Sequence, residues 1–202
     1  PYDVLPGIIL KAYPCHSAAH TAIDATLQLA QQYHFQPNQV ESVRVAVPPA
    51  TLEALPYLDP HDGWEARNSL NYVVAATLLQ GQPLLEQFAD SAVQDPAVRD
   101  MLGRVTVAPS EPSGSLRQNS GRLDSLGCTL RLWLFGGREI SHRVEFARGF
   151  PEFPLDSYEL DAKFLYCSRY ILPPDHIDGA IGQFRDLANV VDVTGLASIL
   201  GG

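Results

Sequence analysis

The chain has 202 residues, of which 46% are hydrophobic and 18% charged, a composition typical of a globular protein with a sizeable core. The formal net charge of −9 and the scattered Lys and Arg residues argue against nucleic acid as a partner, because phosphate binding needs a basic patch. The sequence shows neither an apolar stretch long enough for a membrane span nor a signal-peptide pattern at its start. We therefore expect a cytoplasmic protein that does not bind membranes.

The three cysteines are far apart and odd in number, which favours reduced thiols over a disulfide framework. They are Cys15, Cys128 and Cys167. The first residue is a proline rather than methionine, which is consistent with either a fragment or a processed chain.

The first predicted helix begins near Ser17, a residue type that caps helices. Ile23, Leu27 and Ala30 recur in it at spacings of four and three, which predicts one buried face. Asp24 falls between these apolar positions, so we expect it on the polar face. A strand follows over residues 38–47, where valines alternate with other residues and two prolines end the pattern.

Residues 56–67 are rich in Pro, Asp and Gly and are predicted to be a loop. A second helix is predicted from about Asn68 through Leu79, ending at Gly81. Asp95, followed by a proline, is typical of the start of a short third helix. Residues 105–108 are predicted to form another strand.

Residues 109–127 are dense in Ser, Gly and Pro, and we expect a mobile loop there. Two alternating strands then flank Gly136 and Gly137, which predicts a tight hairpin. Asp156 and Glu159 have the spacing of a capping box at a helix start. Further helices are predicted from Asp175 and over Leu196 to Leu200. The pattern indicates an α+β fold, with an antiparallel sheet and helices packed on it, in one domain spanning residues 1–202.

Chemistry-bearing side chains cluster at the start of the first helix: Lys11, Cys15, His16 and His20. The two histidines are four residues apart, the spacing at which both rings bind one metal, but no further ligands or paired-cysteine motif accompany them. Cys15 beside His16 fits either a thiolate nucleophile or a small buried side chain. Lys11, at the end of an apolar run and before a helix N-terminus, fits either a carboxylate clamp or a solvated surface lysine.

Three blocks, over residues 11–25, 65–81 and 153–164, resemble successive landmarks of the MmgE/PrpD family. They are "KAYPCHSAAHTAIDA", "EARNSLNYVVAATLLQG" and "FPLDSYELDAKF". This family includes 2-methylcitrate dehydratase, cis-aconitate decarboxylase and iminodisuccinate epimerase. Its members have a large all-helical domain and a smaller α+β lid domain, and this chain resembles the lid domain alone, with the helical domain absent.

The resemblance implies that Lys11 and His16 lie in the cleft between lid and helical domain. Lys11 is then expected to neutralise a carboxylate of a small di- or tricarboxylate substrate, and His16 to act as general acid, general base or hydrogen-bond donor. His20 is expected to bind substrate with them or to orient His16. No cofactor and no metal are implied. The expected partners are the small carboxylate, and the missing helical domain or a second copy of the chain in an oligomer.

The chain departs from the family pattern in two respects. The decarboxylase branch has a cleft tyrosine soon after the strand that ends at Val47, where this chain has Leu52, and its nearest tyrosine is Tyr57. The family's other acidic, basic and cationic groups lie on the helical domain, so the isolated chain is expected to be inactive. Tyr72 and Lys163, in the second and third blocks, are expected to be structural or surface residues.

Two alternatives remain at this stage. Beside the favoured hypothesis, the lid of a lyase or isomerase acting on small carboxylates, the first alternative is an orphan lid module that self-associates or binds a carboxylate or protein without catalysis. The second is a metal-binding domain centred on His16 and His20.

Overall fold

The computed structural model describes residues 8–110 and 127–201. Backbone contacts divide the chain into two compact units, Pro1–Pro154 and Leu155–Gly202. The predicted organisation, a single lid domain over residues 1–202 without the helical domain, stays a prediction. Most of the predicted mobile loop at 109–127 lies outside the described residues, and Pro109 itself ends a strand.

The first unit contains a four-stranded sheet in the order β2-β1-β3-β4. Its strands are β1 (Val40–Val47), β2 (Val105–Pro109), β3 (Cys128–Leu134) and β4 (Arg138–Val144). The β1–β3 and β3–β4 pairs are antiparallel, whereas β1 and β2 are parallel. The α+β class is confirmed and the sheet is mostly antiparallel. The parallel pair arises because helices connect β1 to β2 and return the chain in the same direction.

Alternation along β1 explains which face of the sheet is covered. Val43, Val45 and Val47 are buried and Arg44 is exposed, as the alternating sequence predicts. A register shift between Val40 and Ser42 resets the alternation, so Val40 is buried as well. One face of the sheet therefore contributes to the core.

The predicted hairpin between β3 and β4 is confirmed. Leu134 pairs with Arg138, and the turn between them contains Gly136 at φ +98° and Gly137 at φ +85°. Backbone with positive φ is readily adopted only by glycine, which accounts for the Gly-Gly pair.

Six α-helices of the first unit lie in the described residues: α1 (His20–Tyr33), α2 (Pro49–Ala54), α3 (Gly63–Arg67), α4 (Leu70–Gln80), α5 (Asp90–Val93) and α6 (Pro96–Leu102). Helices α1 and α4 pack against each other. Helix α1 also packs on β3 and β4, and helix α4 packs on β2. The predicted second and third helices are confirmed as α4 and α6. Helix α4 begins at Leu70 because the Ser69 hydroxyl accepts a hydrogen bond from the Tyr72 amide, 3.2 Å away.

The start of the first helix differs from the prediction in two ways. A turn of 3₁₀ helix, Ser17–Ala19, precedes α1, and its cap is His16 rather than Ser17. Asp24 was predicted on the polar face but is only 5% exposed. A buried carboxylate is stable only with hydrogen-bond partners, and those of Asp24 include the Tyr13 hydroxyl and the Arg148 amide.

The second unit contains α7 (Ser157–Ser168), α8 (Pro174–Arg185) and α9 (Thr194–Gly201). The predicted capping box is confirmed: Asp156 Oδ1 accepts from the Glu159 amide at 2.8 Å, and Glu159 Oε2 accepts from the Asp156 amide at 2.9 Å. Across the described parts of both units, no helix combines the length and the apolar character needed to cross a membrane.

Candidate carboxylate site

The segment from Leu10 to His16 is irregular, but backbone hydrogen bonds hold both of its ends. The Leu10 amide donates to the Gly149 carbonyl at 2.9 Å, and the His16 amide donates to the Arg67 carbonyl at 3.0 Å. Lys11 lies just after the first contact and His16 makes the second. These two hydrogen bonds therefore fix the backbone positions of Lys11 and His16.

A buried polar cluster supports the middle of this segment. The Tyr13 hydroxyl donates to Asp24 Oδ1, and Asp24 Oδ2 accepts from the Arg148 amide at 2.7 Å. Tyr13 and Asp24 are each 5% exposed. Because a carboxylate at this depth needs donors to replace water, the cluster ties the segment, helix α1 and the chain after β4 to one another.

His16 is partly buried, and its ring has a defined orientation. Nδ1 accepts a hydrogen bond from the Ala18 amide at 3.2 Å. Since an amide N–H can only donate, the neutral ring carries its proton on Nε2. Burial lowers the pKa of His16 below 6.5, and the positive charge of Lys11 lowers it further. At neutral pH the ring is therefore an uncharged Nε2–H donor.

Lys11 is exposed, and its charge reaches two residues of the same segment, of which His16 was predicted to share its site. Its ammonium group acts on the pKa of His16 and on that of Cys15. Lys11 and His16 thus lie within electrostatic reach of each other on the surface of the first unit. Their roles toward a substrate stay predictions.

His20 is in a different environment. Its side chain is buried, and its ring meets the Tyr13 ring edge to face, with centroids 5.0 Å apart and planes at 73°. The structure therefore buries His20 against Tyr13, whereas Lys11 is exposed at the surface. Its predicted contact with substrate stays a prediction.

The geometry bears on the nucleophile and metal alternatives. Burial raises the pKa of Cys15 to about 12, against the opposing charges of Lys11 and Arg67, so at neutral pH it is a thiol and not a thiolate nucleophile. Within residues 8–110 and 127–201, no three His, Cys, Asp or Glu side chains are grouped closely enough to hold a metal ion. The buried, apolar role weighed for Cys15 agrees with its position.

Arg67 is a site residue that the sequence prediction missed. It ends α3, a helix inside the stretch predicted to be a loop. The cue was present: Asp62 precedes Glu65 by three residues, and Asp62 Oδ1 accepts from the Glu65 amide at 2.9 Å. Asp62 as a helix cap predicts a helix that begins at Gly63, with Arg67 in its last turn.

The other residues singled out from the sequence lie as follows. Tyr72 is fully buried and its hydroxyl donates to the Gln87 carbonyl, so it belongs to the core. Lys163 is exposed on α7. Leu52 is in α2, which packs against Ser17–Ala19, and Tyr57 is half-buried shortly after that helix.

The coupling between Lys11 and His16 predicts a measurable change in the pKa of His16. In Lys11→Met we expect this pKa to rise, because protonated His16 no longer faces a neighbouring ammonium group. It should remain below 6.5, since burial is the larger cause of the lowering and persists. A pH titration of the His16 ring signals by NMR at low ionic strength measures both shifts.

The control for this titration is Lys163→Met, because Lys163 is the only other lysine in the sequence. It should leave the pKa of His16 unchanged. Added salt should raise the pKa of His16 in the unmodified chain and have little effect in Lys11→Met, since salt screens an exposed charge. Equal values of the pKa in all three proteins would show that Lys11 and His16 do not interact.

Comparison with known proteins gives a consistent family assignment. The family model described as MmgE/PrpD C-terminal domain matches residues 13–183. Cis-aconitate decarboxylase of Mus musculus is 26% identical over 203 aligned residues, which cover 96% of this chain and 40% of the relative. The human protein of the same name is 24% identical, with 96% and 40% covered. A cis-aconitate decarboxylase-like protein of Aspergillus oryzae is 23% identical, with 97% and 41% covered.

The chain thus spans about two fifths of the length of these curated relatives, 40% for the two mammalian proteins. The matched region includes His16, His20 and Arg67 and begins two residues after Lys11.

Proposed function

This chain belongs to the MmgE/PrpD family, with its match in the C-terminal domain, and we propose that it forms the lid over the substrate cleft of a cofactor-independent lyase or isomerase acting on small di- or tricarboxylates. At the coarser level it is a domain of a dehydratase and decarboxylase type of family. The observation that carries the proposal is the pairing of an exposed ammonium group, Lys11, with a neutral Nε2–H donor, His16.

The electrostatics of this pair suit a carboxylate. The chain as a whole is acidic, at −9, so an anionic metabolite is repelled except where cations are concentrated. Lys11 supplies a full positive charge at the surface, and His16 supplies a directional hydrogen bond. Lys11 neutralises the carboxylate next to the reacting carbon, which lowers the free energy of the carbanion-like state that forms when a proton or carbon dioxide leaves.

His16 acts in this proposal as the hydrogen-bond donor to the oxygen on which negative charge develops. A neutral imidazole is suited to that role, because donation from Nε2 requires no prior protonation at neutral pH. The same tautomer cannot accept a proton at Nε2. In this proposal the base that removes the substrate proton is therefore a group other than His16 Nε2.

The surface around Lys11 and His16 has features of a surface that another domain or subunit covers. Ile8 and Leu10 precede Lys11 in the same segment and are each 46% exposed. Large apolar side chains at the rim of a charged site are typical of a surface that another domain or subunit covers. The helical domain of the family, or a second copy of this chain, is the proposed cover.

The test uses the native polypeptide that contains this chain, incubated in D₂O with cis-aconitate, citrate or 2-methylcitrate. Proton NMR reports deuterium incorporation beside a carboxylate as well as formation of product. We expect exchange with at least one acid, and turnover with the true substrate. The proposal would be contradicted if none of the three acids showed deuterium exchange or turnover.

The second candidate is a lid module that binds a carboxylate or self-associates without catalysis. The exposed apolar side chains at the rim favour it as much as they favour a lid. In the same experiment it predicts a shift of the His16 signals on addition of the acid, with no deuterium incorporation.

A further inference from the structure

The backbone that carries Lys11 is held on both sides of this residue. The Leu10 amide, one position before it, donates to the Gly149 carbonyl at 2.9 Å. The Tyr13 hydroxyl, on the residue two positions after it, donates to Asp24 Oδ1, and both of these side chains are buried. The exposed lysine side chain therefore starts from a stretch of backbone with two fixed points.

The two fixed points meet at the neighbouring residues Arg148 and Gly149. Asp24 Oδ2 accepts from the Arg148 amide at 2.7 Å, and the Gly149 carbonyl accepts from the Leu10 amide. Asp24 therefore closes a ring of contacts, which runs from Leu10 along the chain to Tyr13, through the carboxylate to Arg148 and Gly149, and back to Leu10. Lys11 lies in this ring, between Leu10 and Tyr13.

The two oxygens of Asp24 make the ring strong, because each accepts from a different donor. Hydrogen bonds to an ionised acceptor are roughly twice as strong as those between neutral groups, and the low dielectric of a buried position strengthens them further. His16 is held by other contacts: its amide donates to the Arg67 carbonyl at 3.0 Å, and its Nδ1 accepts from the Ala18 amide at 3.2 Å. Loss of the Tyr13–Asp24 hydrogen bond should therefore move Lys11 relative to His16.

We propose that Asp24, acting through Tyr13, is a positioning residue that sets the place of Lys11 relative to His16 and thus to the substrate carboxylate. This inference rests on the function proposed above and adds to it a residue that does not touch the substrate. Displacement of a catalytic group by about 1 Å can lower a rate about 100-fold. A buried hydrogen bond outside the site therefore contributes to catalysis by keeping Lys11 in place.

Tyr13→Phe is the main test, because it removes the hydroxyl donor and keeps the ring that meets His20. In the native polypeptide that contains this chain, kcat/KM should fall about 10- to 100-fold, mostly in kcat. Asp24→Ala should have an effect at least as large. Asp24→Asn should retain most of the activity, since its amide group accepts from the Arg148 N–H and donates to the Tyr13 hydroxyl oxygen.

A double-variant cycle shows whether the hydrogen bond acts through Lys11. In the Lys11→Ala background, Tyr13→Phe should change kcat/KM by less than about twofold, because the group to be positioned is gone. The matched control is Tyr72→Phe, which also removes a buried hydroxyl, one that donates to the Gln87 carbonyl. It should lower Tm without changing kcat/KM.

The pKa of His16, measured by NMR, is a second readout that does not require turnover. Displacement of Lys11 in Tyr13→Phe should raise this pKa toward its value in Lys11→Met, since the ammonium group repels the protonated ring less. Tyr13→Phe combined with Lys11→Met should have the same pKa as Lys11→Met alone, and Tyr72→Phe should leave it unchanged. Thermal unfolding confirms that each variant is folded, and Tyr13→Phe decides the test if Asp24→Ala is not.

The outcomes separate this inference from the proposed function. If Lys11→Ala loses most of the activity while Tyr13→Phe changes neither kcat/KM nor the pKa of His16, the positioning inference is overturned and the role of Lys11 stands. Equal losses of kcat/KM from Tyr13→Phe with and without Lys11 would also overturn it. If the native polypeptide acts on none of the acids, the proposed function fails, and the pKa of His16 alone decides the positioning: a rise in Tyr13→Phe supports it and an unchanged value overturns it.

Discussion

Replacement of Lys11 by alanine is expected to lower kcat/KM of the complete enzyme about 10²- to 10³-fold, the size of effect seen when one group that stabilises developing negative charge is removed. Most of the loss should be in kcat, because the interaction strengthens as charge accumulates in the transition state. Part of it should be in KM, since Lys11 also neutralises the carboxylate of the bound substrate. Steady-state kinetics on the acid identified by deuterium exchange measure both parameters.

Lys163→Ala is the matched control, since it removes the only other lysine of the sequence from an exposed position on α7. It should leave kcat/KM unchanged. The pH profile adds a second check: activity that depends on neutral His16 should fall as the pH drops through the pKa of that ring, below 6.5. A Lys11→Ala enzyme with full activity would remove Lys11 from the proposed mechanism.

Local sequence patterns predicted the regular elements well where the physical cause is local. The β3–β4 hairpin follows from Gly136 and Gly137, and the start of α7 follows from the spacing of Asp156 and Glu159. In each case residues a few positions apart determine the backbone, so no knowledge of the tertiary structure is needed.

Tertiary contacts determine the features that the sequence did not predict or predicted wrongly. Asp24 has the spacing of a polar helix face, yet it is buried because Tyr13 and the Arg148 amide supply its hydrogen bonds. The Arg148 amide is 124 positions away, and no periodicity within α1 indicates it. The parallel pairing of β2 with β1 likewise depends on how the intervening helices fold back.

The candidate site was predictable only in part for the same reason. Lys11 and His16 share one short segment, and the family resemblance singled them out before any geometry was known. Arg67 enters through a backbone contact with His16 across 51 positions, in a helix hidden within a stretch rich in Pro, Asp and Gly. His20 lies four positions after His16, a spacing that predicts a shared helix face, but in the structure it is buried against the Tyr13 ring.

Gly149→Ala is expected to destabilise the first unit by about 3–5 kcal/mol, in the range of severe single substitutions. Gly149 has φ +89°, and a Cβ atom there would lie 1.9 Å from the Leu10 carbonyl oxygen and 3.1 Å from its carbon. Both are backbone atoms of the segment that carries Lys11, so relief requires moving that segment. Urea or thermal unfolding measures the loss, expected as a drop in Tm of roughly 6–20 °C.

Gly137→Ala separates the steric clash from the cost of positive φ. Gly137 has a similar φ of +85°, but no atom lies within 4 Å of the point that an alanine Cβ would occupy, so its substitution should cost only about 1–2 kcal/mol. If the segment shifts instead of the unit unfolding, Lys11 moves away from His16 and the pKa of His16 should rise in Gly149→Ala but not in Gly137→Ala. Equal stability losses in the two variants, with an unchanged pKa of His16, would show that the Leu10–Gly149 contact does not position Lys11.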